Sequence, residues 1–532
     1  MRFKNSVSKY TILSAVFAVV CLIFIARLVN LQFDRQKTEA LRAESDVTVR
    51  TEVIQALRGN ICDRNGTVLV TSSYSYDIVF DYDTMPDDSE SFNRTILSVL
   101  SAMVETQNTA KRSADHYPFV YQYPSLSYST EAMTEGTTVK SSLDRLLKRI
   151  DLEGATASEL VNYIVKRNGL NAKDEKGTPL YTNDEINSLI RVIYDMMRIQ
   201  FSSVQPYCIA SGVDVEFVTY VKELSLPGVK DRISSKRTYI YPGYASHILG
   251  RVGSITAETW DEYKALGYDI NATVGIDGCE AAFEEYLRGK DGVLTIKMNA
   301  KGEIVDQYVS VPPVAGKDVW LTIDIDAQIA AEDALDDYMR SSGKEKGASV
   351  AVDPNTGAIL ALASYPTFDL TTFSKNYNQL ASDKSAPLLN RAIYASYTPG
   401  STFKIAVALA GLEQGKINES STIFCDHGYR LHGFSINCEN HPSSLSYLSV
   451  VDAIKYSCNA FFIGLGYDRL DIDTMTEYCA SLGLGQSTGI ELPELTGQIA
   501  TPENALNWTQ YEEASSYIGQ SIHKYTPLQI SS

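Results

Sequence analysis

One apolar run near the start constrains this chain more than any other feature. "YTILSAVFAVVCLIFIA", 17 uncharged residues from Tyr10, is followed by Arg27 and "LVNLQF". A membrane-spanning helix needs roughly 20 mostly apolar residues, and the run through Phe33 supplies them around one arginine able to snorkel. Arg2, Lys4 and Lys9 precede it, and a basic flank keeps that end in the cytoplasm. No small-x-small cleavage site follows, so an uncleaved anchor over residues 10–33 is expected in preference to a signal peptide. A single-pass protein of the cell membrane follows, with a cytoplasmic tail over 1–9 and the bulk of the chain extracellular. A buried soluble helix is the remaining alternative, but nothing else in the sequence is as continuously apolar.

A chain of 532 residues exceeds a single core and implies two to four domains. Its formal charge of −18 argues against nucleic acid as partner. Cysteines are mostly scattered singly; only Cys425 and Cys438 are close enough to suggest a local pair.

Past the anchor, alternating residues surround Asn65-Gly66, a hairpin signal. From about Asp83 to Glu185 the chain is polar, with helical patches such as "SSLDRLLKRIDL", and reads as an insertion or elaborated lobe without visible chemistry. "NDEINSLIRVIYDMMRIQF" is helical in period. The double proline Pro312-Pro313 marks a boundary, followed by a short strand and a helix from about Asp326. "GASVAVDPNTGAILALASYP" predicts an antiparallel hairpin turning at Pro-Asn-Thr-Gly. The C-terminal region therefore reads as α+β, with helices packed on an antiparallel sheet.

"YTPGSTFKIAVALAGLEQG" places Ser401 three residues before Lys404 at the head of an apolar helix. Residues at i and i+3 share a helix face, so Lys404 can reach the Ser401 hydroxyl. A lysine desolvated by apolar neighbours has a lowered pKa and can take a serine's proton. Pro399-Gly400 would leave Ser401 at a helix N-terminus, whose N–H groups can stabilise an oxyanion. A serine N-cap with a solvated lysine one turn on has the same spacing. Ser-x-x-Lys also occurs at Ser6–Lys9, Ser341–Lys344 and Ser521–Lys524, so the spacing alone decides nothing. The second candidate, Ser457-Cys458-Asn459, interrupts an apolar helical pattern where small polar side chains are costly to bury. A packing serine and a capping asparagine are the structural alternative.

With "PGSTFK" followed 56 residues later by "SCN", the chain resembles the transpeptidase domain of class B penicillin-binding proteins. "RGNICDRNG", "RTYIYPGYASHILGRVG" and "GIDGCEAAFEEYLRGKDG" are similar to that family's N-terminal pedestal. "LTIDIDAQIAAE", "DPNTGAILALASYPTFD", "LLNRAIYASYTPGSTFK", "GLGQSTGIELPE" and "IGQSIHKYTPLQ" follow in the family's order. The resemblance implies an elongated, mainly β pedestal and dimerisation domain over 34–315, with an insertion at about 83–185. A transpeptidase domain over 316–532, with helices around an antiparallel sheet, would follow it.

The resemblance also implies roles. Ser401 would attack the penultimate D-alanine carbonyl of a peptidoglycan stem peptide, with Lys404 as general base. Ser457 would relay a proton to the leaving group, and Asn459 would hold the substrate amide and the lysine. An amine from a neighbouring stem peptide would resolve the acyl-enzyme into a cross-link, and β-lactam antibiotics would acylate the same serine. The Ser401 backbone N–H would form half of the oxyanion hole. The family's third motif, Lys-Thr/Ser-Gly, does not occur in the sequence, which ends at "TPLQISS". The expectation is a C-terminally incomplete chain, inactive as given.

Between the two motifs, "CDHGYRLHGFSINCENH" holds Cys425, Asp426, His427, His432, Cys438 and His441. Zinc takes four such ligands, and some elongation-type members of the family carry it here. Cys425, Cys438 and His441 are the preferred ligands, with Asp426 or His427 as fourth; a Cys425–Cys438 disulfide is the alternative. Competing functions are a β-lactam sensor, which would lack this pedestal, and a silent membrane scaffold that activates a wall glycosyltransferase. The expected partner is a glycosyltransferase of the SEDS family within a wall-elongation complex. An elongation role is expected over a septal or sporulation one.

Overall fold

The computed structural model describes residues 17–20, 22–29, 48–108, 116–203, 205–256, 258–268, 272–299, 304–431, 433–438, 442 and 444–532. Residues 17–20 and 22–29 are helical. The rest of the anchor expected over 10–33 lies outside the described residues, and among the described residues no helix is long and apolar enough to cross a membrane.

The chain divides into two compact units. In the first, the strand Thr48–Ile54 pairs antiparallel with Gly292–Met298, which pairs in turn with Ile304–Val311. Ala56 N–H donates to the Asp291 carboxylate at 2.8 Å, and Lys290 and Val314 exchange backbone bonds beside it. Pro312-Pro313 ends the outer strand, since proline has no N–H to offer a ladder.

The second unit contains everything from Leu57 to Arg288 and from Gly316 onward. Its N-terminal part is a five-stranded sheet built on the long strand Val68–Phe80. Val229–Tyr239 pairs along its length, and Tyr207–Val213 pairs with its far end. The hairpin predicted at Asn65-Gly66 forms, joining Ile61–Cys62 to this strand, with Gly66 at φ +86°. The strand Val319–Trp320, read as following a boundary, pairs in parallel with Ile61–Cys62 and so completes the N-terminal sheet.

A buried ion cluster explains the two sequence stretches around Arg58 and Glu280. Glu280, fully buried, accepts from Arg58 at 2.7 Å and from Arg237 at 2.7 Å. Arg58 also pairs with Glu284 at 2.7 Å, and Glu284 accepts the Gly275 N–H at 2.8 Å. Burying charges is tolerable only when each is paired and hydrogen-bonded.

The pedestal is not mainly β, contrary to expectation. The polar stretch after Asp83 forms a helical lobe with Ser89–Glu105, Thr138–Arg149, Ala157–Arg167, Asn183–Ile199 and Val215–Glu223 sharing one core. Its average polarity hid the period: Leu143, Leu146 and Leu147, then Leu160, Val161, Ile164 and Val165, recur at helical spacing and are buried. Capping boxes at Thr156/Glu159 and Thr182/Glu185 start two of these helices. The last expected residue of the insertion, Glu185, lies in the first turn of a helix that continues to Ile199.

The C-terminal part has the expected α+β character. Helix Ile325–Ser342, capped by Asp324, packs on the antiparallel hairpin Gly347–Val352/Ile359–Tyr365. Buried Gln328 ties them, donating to Leu362 O at 3.0 Å and accepting its N–H at 2.7 Å. A second core joins helices Lys404–Glu413, Asn459–Arg469, Ile472–Ser481 and Gln510–Ser516 through Phe403, Val407, Phe461, Leu465 and Tyr517. Gly466 lets the Tyr517 ring close in, since a Cβ there would lie 2.1 Å from the ring.

Replacing Glu280 with Ala leaves Arg237, whose side chain is 5% exposed, without its carboxylate, and leaves Arg58, 9% exposed, with Glu284 alone. The expected cost is about 3–5 kcal/mol, read by urea denaturation. A loss below about 1 kcal/mol would mean that the cluster behaves as a surface pair.

Candidate active site

Gly400, at φ +60°, turns the chain into a 3-10 turn, Gly400–Phe403, that runs directly into helix Lys404–Glu413. The segment Ser516–Tyr525 braces this entry. Gly400 N–H donates to Gly519 O at 2.8 Å, while Tyr397 and Tyr525 exchange two backbone bonds. Gly519, at φ +70°, approaches so closely that a Cβ would stand 2.1 Å from Gly400 O. Ser401 is thus left exposed at the head of the helix while Lys404, one turn on, is 2% exposed.

The second motif is a helix junction. Helix Val450–Lys455 ends in paired backbone bonds, Ser457 N–H to Ile454 O and Cys458 N–H to Ala453 O. This is the Schellman arrangement, whose left-handed position is normally glycine; here it is Ser457, at φ +51°. Helix Asn459–Arg469 begins at once, with the Cys458 sulfur capping Phe461 N–H. The apolar pattern is therefore broken by two helix ends meeting, and the cap is the cysteine and not the asparagine.

The two motifs meet at Lys404. Its Nζ donates to Asn459 Oδ1 at 2.6 Å, Ser457 O at 2.8 Å and Ser457 Oγ at 3.0 Å. The Ser457 hydroxyl donates to Ser401 Oγ at 2.9 Å. Lys404 thus reaches Ser401 through Ser457, and not by the direct i to i+3 contact that the spacing suggested. Burial lowers the Lys404 pKa to about 8, a trend that the nearby Cys458 and Cys438 sulfurs oppose. With a pKa of about 8, roughly a fifth of such amines are neutral near pH 7.4, and that fraction can accept a proton through the hydroxyl pair. Asn459 Nδ2 is fixed by Asn437 O at 2.7 Å, which aims its carbonyl at the lysine.

Lys524, from one of the decoy Ser-x-x-Lys pairs, also lies beside the site, donating to Thr398 Oγ1 at 3.1 Å. Sequence spacing missed it, along with Gly519 and Asn437, because their proximity depends on distant segments folding back.

Cys425 and Cys438 flank the hairpin Gly428–Leu431/Phe434–Asn437, whose closing pair is Gly428 with Asn437. Their sulfurs are 3.6 Å apart and both remain thiols. The third member of the group is Cys458, 3.6 Å from Cys438, and the three sulfurs lie within 4.8 Å of one another. A tetrahedral zinc with Zn–S bonds of about 2.3 Å separates its sulfurs by about 3.8 Å, so the arrangement fits. Asp426 and His427 fall outside this group, and His441 lies outside the described residues. A hydrogen bond from Cys458 holds the Cys438 thiol below its ordinary pKa, helped by the Ala460 N–H, which donates to its sulfur at 3.3 Å. Thiolate character is what a metal ligand requires.

Ser457→Gly and Ser457→Ala remove the same hydroxyl, but only alanine keeps the left-handed strain. The glycine variant should be more stable by about 1 kcal/mol, measured by thermal denaturation. Equal stabilities would mean that the junction relaxes.

Comparison with known proteins places these elements in a family. The model of the penicillin-binding protein dimerisation domain matches residues 53–321, and that of the penicillin-binding protein transpeptidase domain matches 347–532. The chain is 31% identical over 327 residues to the peptidoglycan D,D-transpeptidase MrdA of Escherichia coli K12, covering 58% of this chain and 50% of that protein. It is 31% identical over 317 residues to stage V sporulation protein D of Bacillus subtilis, covering 58% and 44%. The chain thus spans about half the length of the curated relatives it matches. A solved peptidoglycan synthase complex contains a chain with TM-score 0.59 and 28% identity, covering 98% of this chain and 76% of that one. PBP2 in its complex with MreC from Helicobacter pylori shares the fold, with TM-score 0.62 at 20% identity and coverages of 91% and 75%. With dimerisation and transpeptidase models matched in order on either side of helix Ile325–Ser342, the chain belongs to the penicillin-binding proteins.

Proposed function

We propose that this protein is a peptidoglycan D,D-transpeptidase acting through a Ser401 acyl-enzyme. The observation that carries this reading is the continuous chain from Lys404 Nζ through Ser457 Oγ to Ser401 Oγ, at 3.0 and 2.9 Å. With Lys404 neutral, the polarity of that chain reverses: Ser401 gives its proton to Ser457, and Ser457 gives its own to the amine. Ser401 Oγ attacks the penultimate D-alanine carbonyl, the Ser401 N–H stabilises the oxyanion, and the C–N bond to the terminal D-alanine breaks. The proton held at Lys404 returns through Ser457 to the departing amine. An amine of a second stem peptide then attacks the ester, Ser401 leaves with its proton restored, and the cross-link is formed. β-Lactams acylate Ser401 by the same first half-reaction. Asn459 holds both the lysine and the substrate amide.

Zinc is proposed as a resident ion held by Cys425, Cys438 and Cys458, with His441 as the fourth ligand. When bound, it would supply a structural staple across the hairpin and the helix junction. Because Cys458 separates Ser457 from Asn459, that staple would hold both polar groups against Lys404.

In this proposal an N-terminal anchor over residues 10–33 holds the bulk of the chain outside the membrane, where peptidoglycan stem peptides are cross-linked. A membrane glycosyltransferase of the SEDS family is the proposed partner, supported by the likeness to a chain of a solved peptidoglycan synthase complex. The cysteine group supports an elongation role.

Full-length protein should be captured covalently by labelled penicillin, and Ser401→Ala should abolish the label. Lys404→Ala should slow acylation by about 10²–10⁴-fold. The wild-type rate should rise with pH through about 8 and level off above, as Lys404 loses its proton. Absence of label on wild type would favour a silent scaffold instead. Metal analysis should find one zinc per chain, with Cys425, Cys438 and Cys458 protected from thiol reagents until a chelator is added. Metal-free protein with a Cys425–Cys438 disulfide would end the zinc proposal.

A further inference from the structure

Three thiols meet beside the catalytic junction. The Cys438 sulfur stands 3.6 Å from that of Cys425 and 3.6 Å from that of Cys458, and all three lie within 4.8 Å of one another. None of them is bridged. Their access to solvent differs: Cys425 is 2% exposed and Cys458 0%, whereas Cys438 is only partly buried. An oxidant arriving from solvent therefore meets Cys438 first, with a buried thiol on either side to complete a bridge.

The contacts around Cys438 single out Cys458 as its partner. Asn437 O accepts from Asn459 Nδ2 at 2.7 Å, and the Cys438 sulfur accepts from the Ala460 N–H at 3.3 Å. Residues 437–438 thus lie across residues 458–460, at the helix start that Cys458 caps. Cys425 is tied to a different segment, its N–H donating to Ser446 O at 2.8 Å. A disulfide holds its sulfurs at about 2.05 Å, so closing the bridge from Cys438 to Cys458 draws them together by about 1.5 Å.

That movement reaches the proton path. Cys458 is flanked by Ser457 and Asn459, whose Ser457 O, Ser457 Oγ and Asn459 Oδ1 accept the three hydrogen bonds of Lys404. Ser457, at φ +51°, is already in a sparsely populated conformation and has little room to absorb a shift. Whichever side gives, either the Asn437–Asn459 contact or the junction itself is displaced. A misplacement of about 1 Å in a reacting constellation costs about 10²-fold in rate.

We infer that Cys438 and Cys458 form an oxidation site that switches the Ser401 centre off, and that reduction of their disulfide restores it. This inference rests on the transpeptidase reading above for the activity it controls. Hydrogen peroxide supplies the chemistry. The Cys438 sulfur attacks one oxygen, the O–O bond breaks, and the other oxygen leaves as water with the thiol proton, giving a sulfenic acid. The Cys458 sulfur then attacks the oxidised sulfur: the S–S bond forms, the S–O bond breaks, and the hydroxyl leaves with the Cys458 proton as a second water. Two thiols have given two electrons to one peroxide. A dithiol reverses the change by exchange and ends as a disulfide itself. The proposed zinc draws on the same sulfurs, so oxidation acts on the metal-free group.

Full-length protein in detergent, treated with a chelator, would be divided between dithiothreitol and hydrogen peroxide. Each portion would be mapped by peptide mass spectrometry and timed for capture of labelled penicillin. Peroxide should produce a Cys438–Cys458 bridge and slow capture at least about 100-fold, and dithiothreitol should restore the rate. With each variant compared to its own reduced form, Cys438→Ser and Cys458→Ser should lose the response while Cys425→Ser keeps it. A bridge from Cys438 to Cys425, no bridge, or a Cys438–Cys458 bridge that leaves the rate unchanged would overturn the inference, as would loss of the response in Cys425→Ser. Reduced protein that takes no label defeats the transpeptidase reading and this control of it together. Label on reduced protein without a Cys438–Cys458 bridge after oxidation defeats this inference alone.

Discussion

The organising constraint of the C-terminal half is the burial of one amine. Lys404 sits at the start of an apolar helix that must pack against Phe461, Phe462 and Leu465, so its side chain is carried into the core with it. A buried ammonium needs acceptors, and all three of its hydrogen bonds go to Ser457 and Asn459. That requirement fixes where the two helix ends must meet. The same desolvation brings the amine's pKa to about 8, so a packing constraint also creates the chemical property of the site.

The junction that meets this requirement is itself strained. A serine in a left-handed position costs of order 1–2 kcal/mol, and it persists because the hydroxyl has to stand between Lys404 and Ser401. Cys458, the next residue, caps one helix and completes a sulfur triad with Cys425 and Cys438. Three consecutive residues thus serve the lysine, the helix end and the proposed metal, leaving little freedom to any of them. On the other flank, Gly519 presses on Gly400 and fixes how the serine turn enters its helix.

Legibility in the sequence followed the range of the interaction. The hairpins at Asn65-Gly66 and Pro354–Gly357 and the helix after Asp324 could be read because turn chemistry and capping act over a few residues. The helical lobe was under-read because its buried positions are diluted by a polar surface, so average polarity masked a clear 3.6-residue period. The four residues Ser401, Lys404, Ser457 and Asn459 were legible as two motifs. Their connectivity was not, because the link from Lys404 to Ser401 crosses between segments more than 50 residues apart. For the same reason the nearness of the Cys458 sulfur to Cys425 and Cys438 is not legible from its place in the sequence.

What the sequence determined by itself were the local elements and the residue types able to do chemistry: an exposed serine after a turn, a lysine in an apolar helix, and cysteines around a hairpin. These depend on backbone preferences and on hydrophobic period, which are properties of short stretches. The tertiary structure decided the order of contact: Ser457 between lysine and serine, and Cys458 in the sulfur group. Such outcomes depend on which distant surfaces close against each other and which polar groups are left to be satisfied once they do, and no local pattern encodes that.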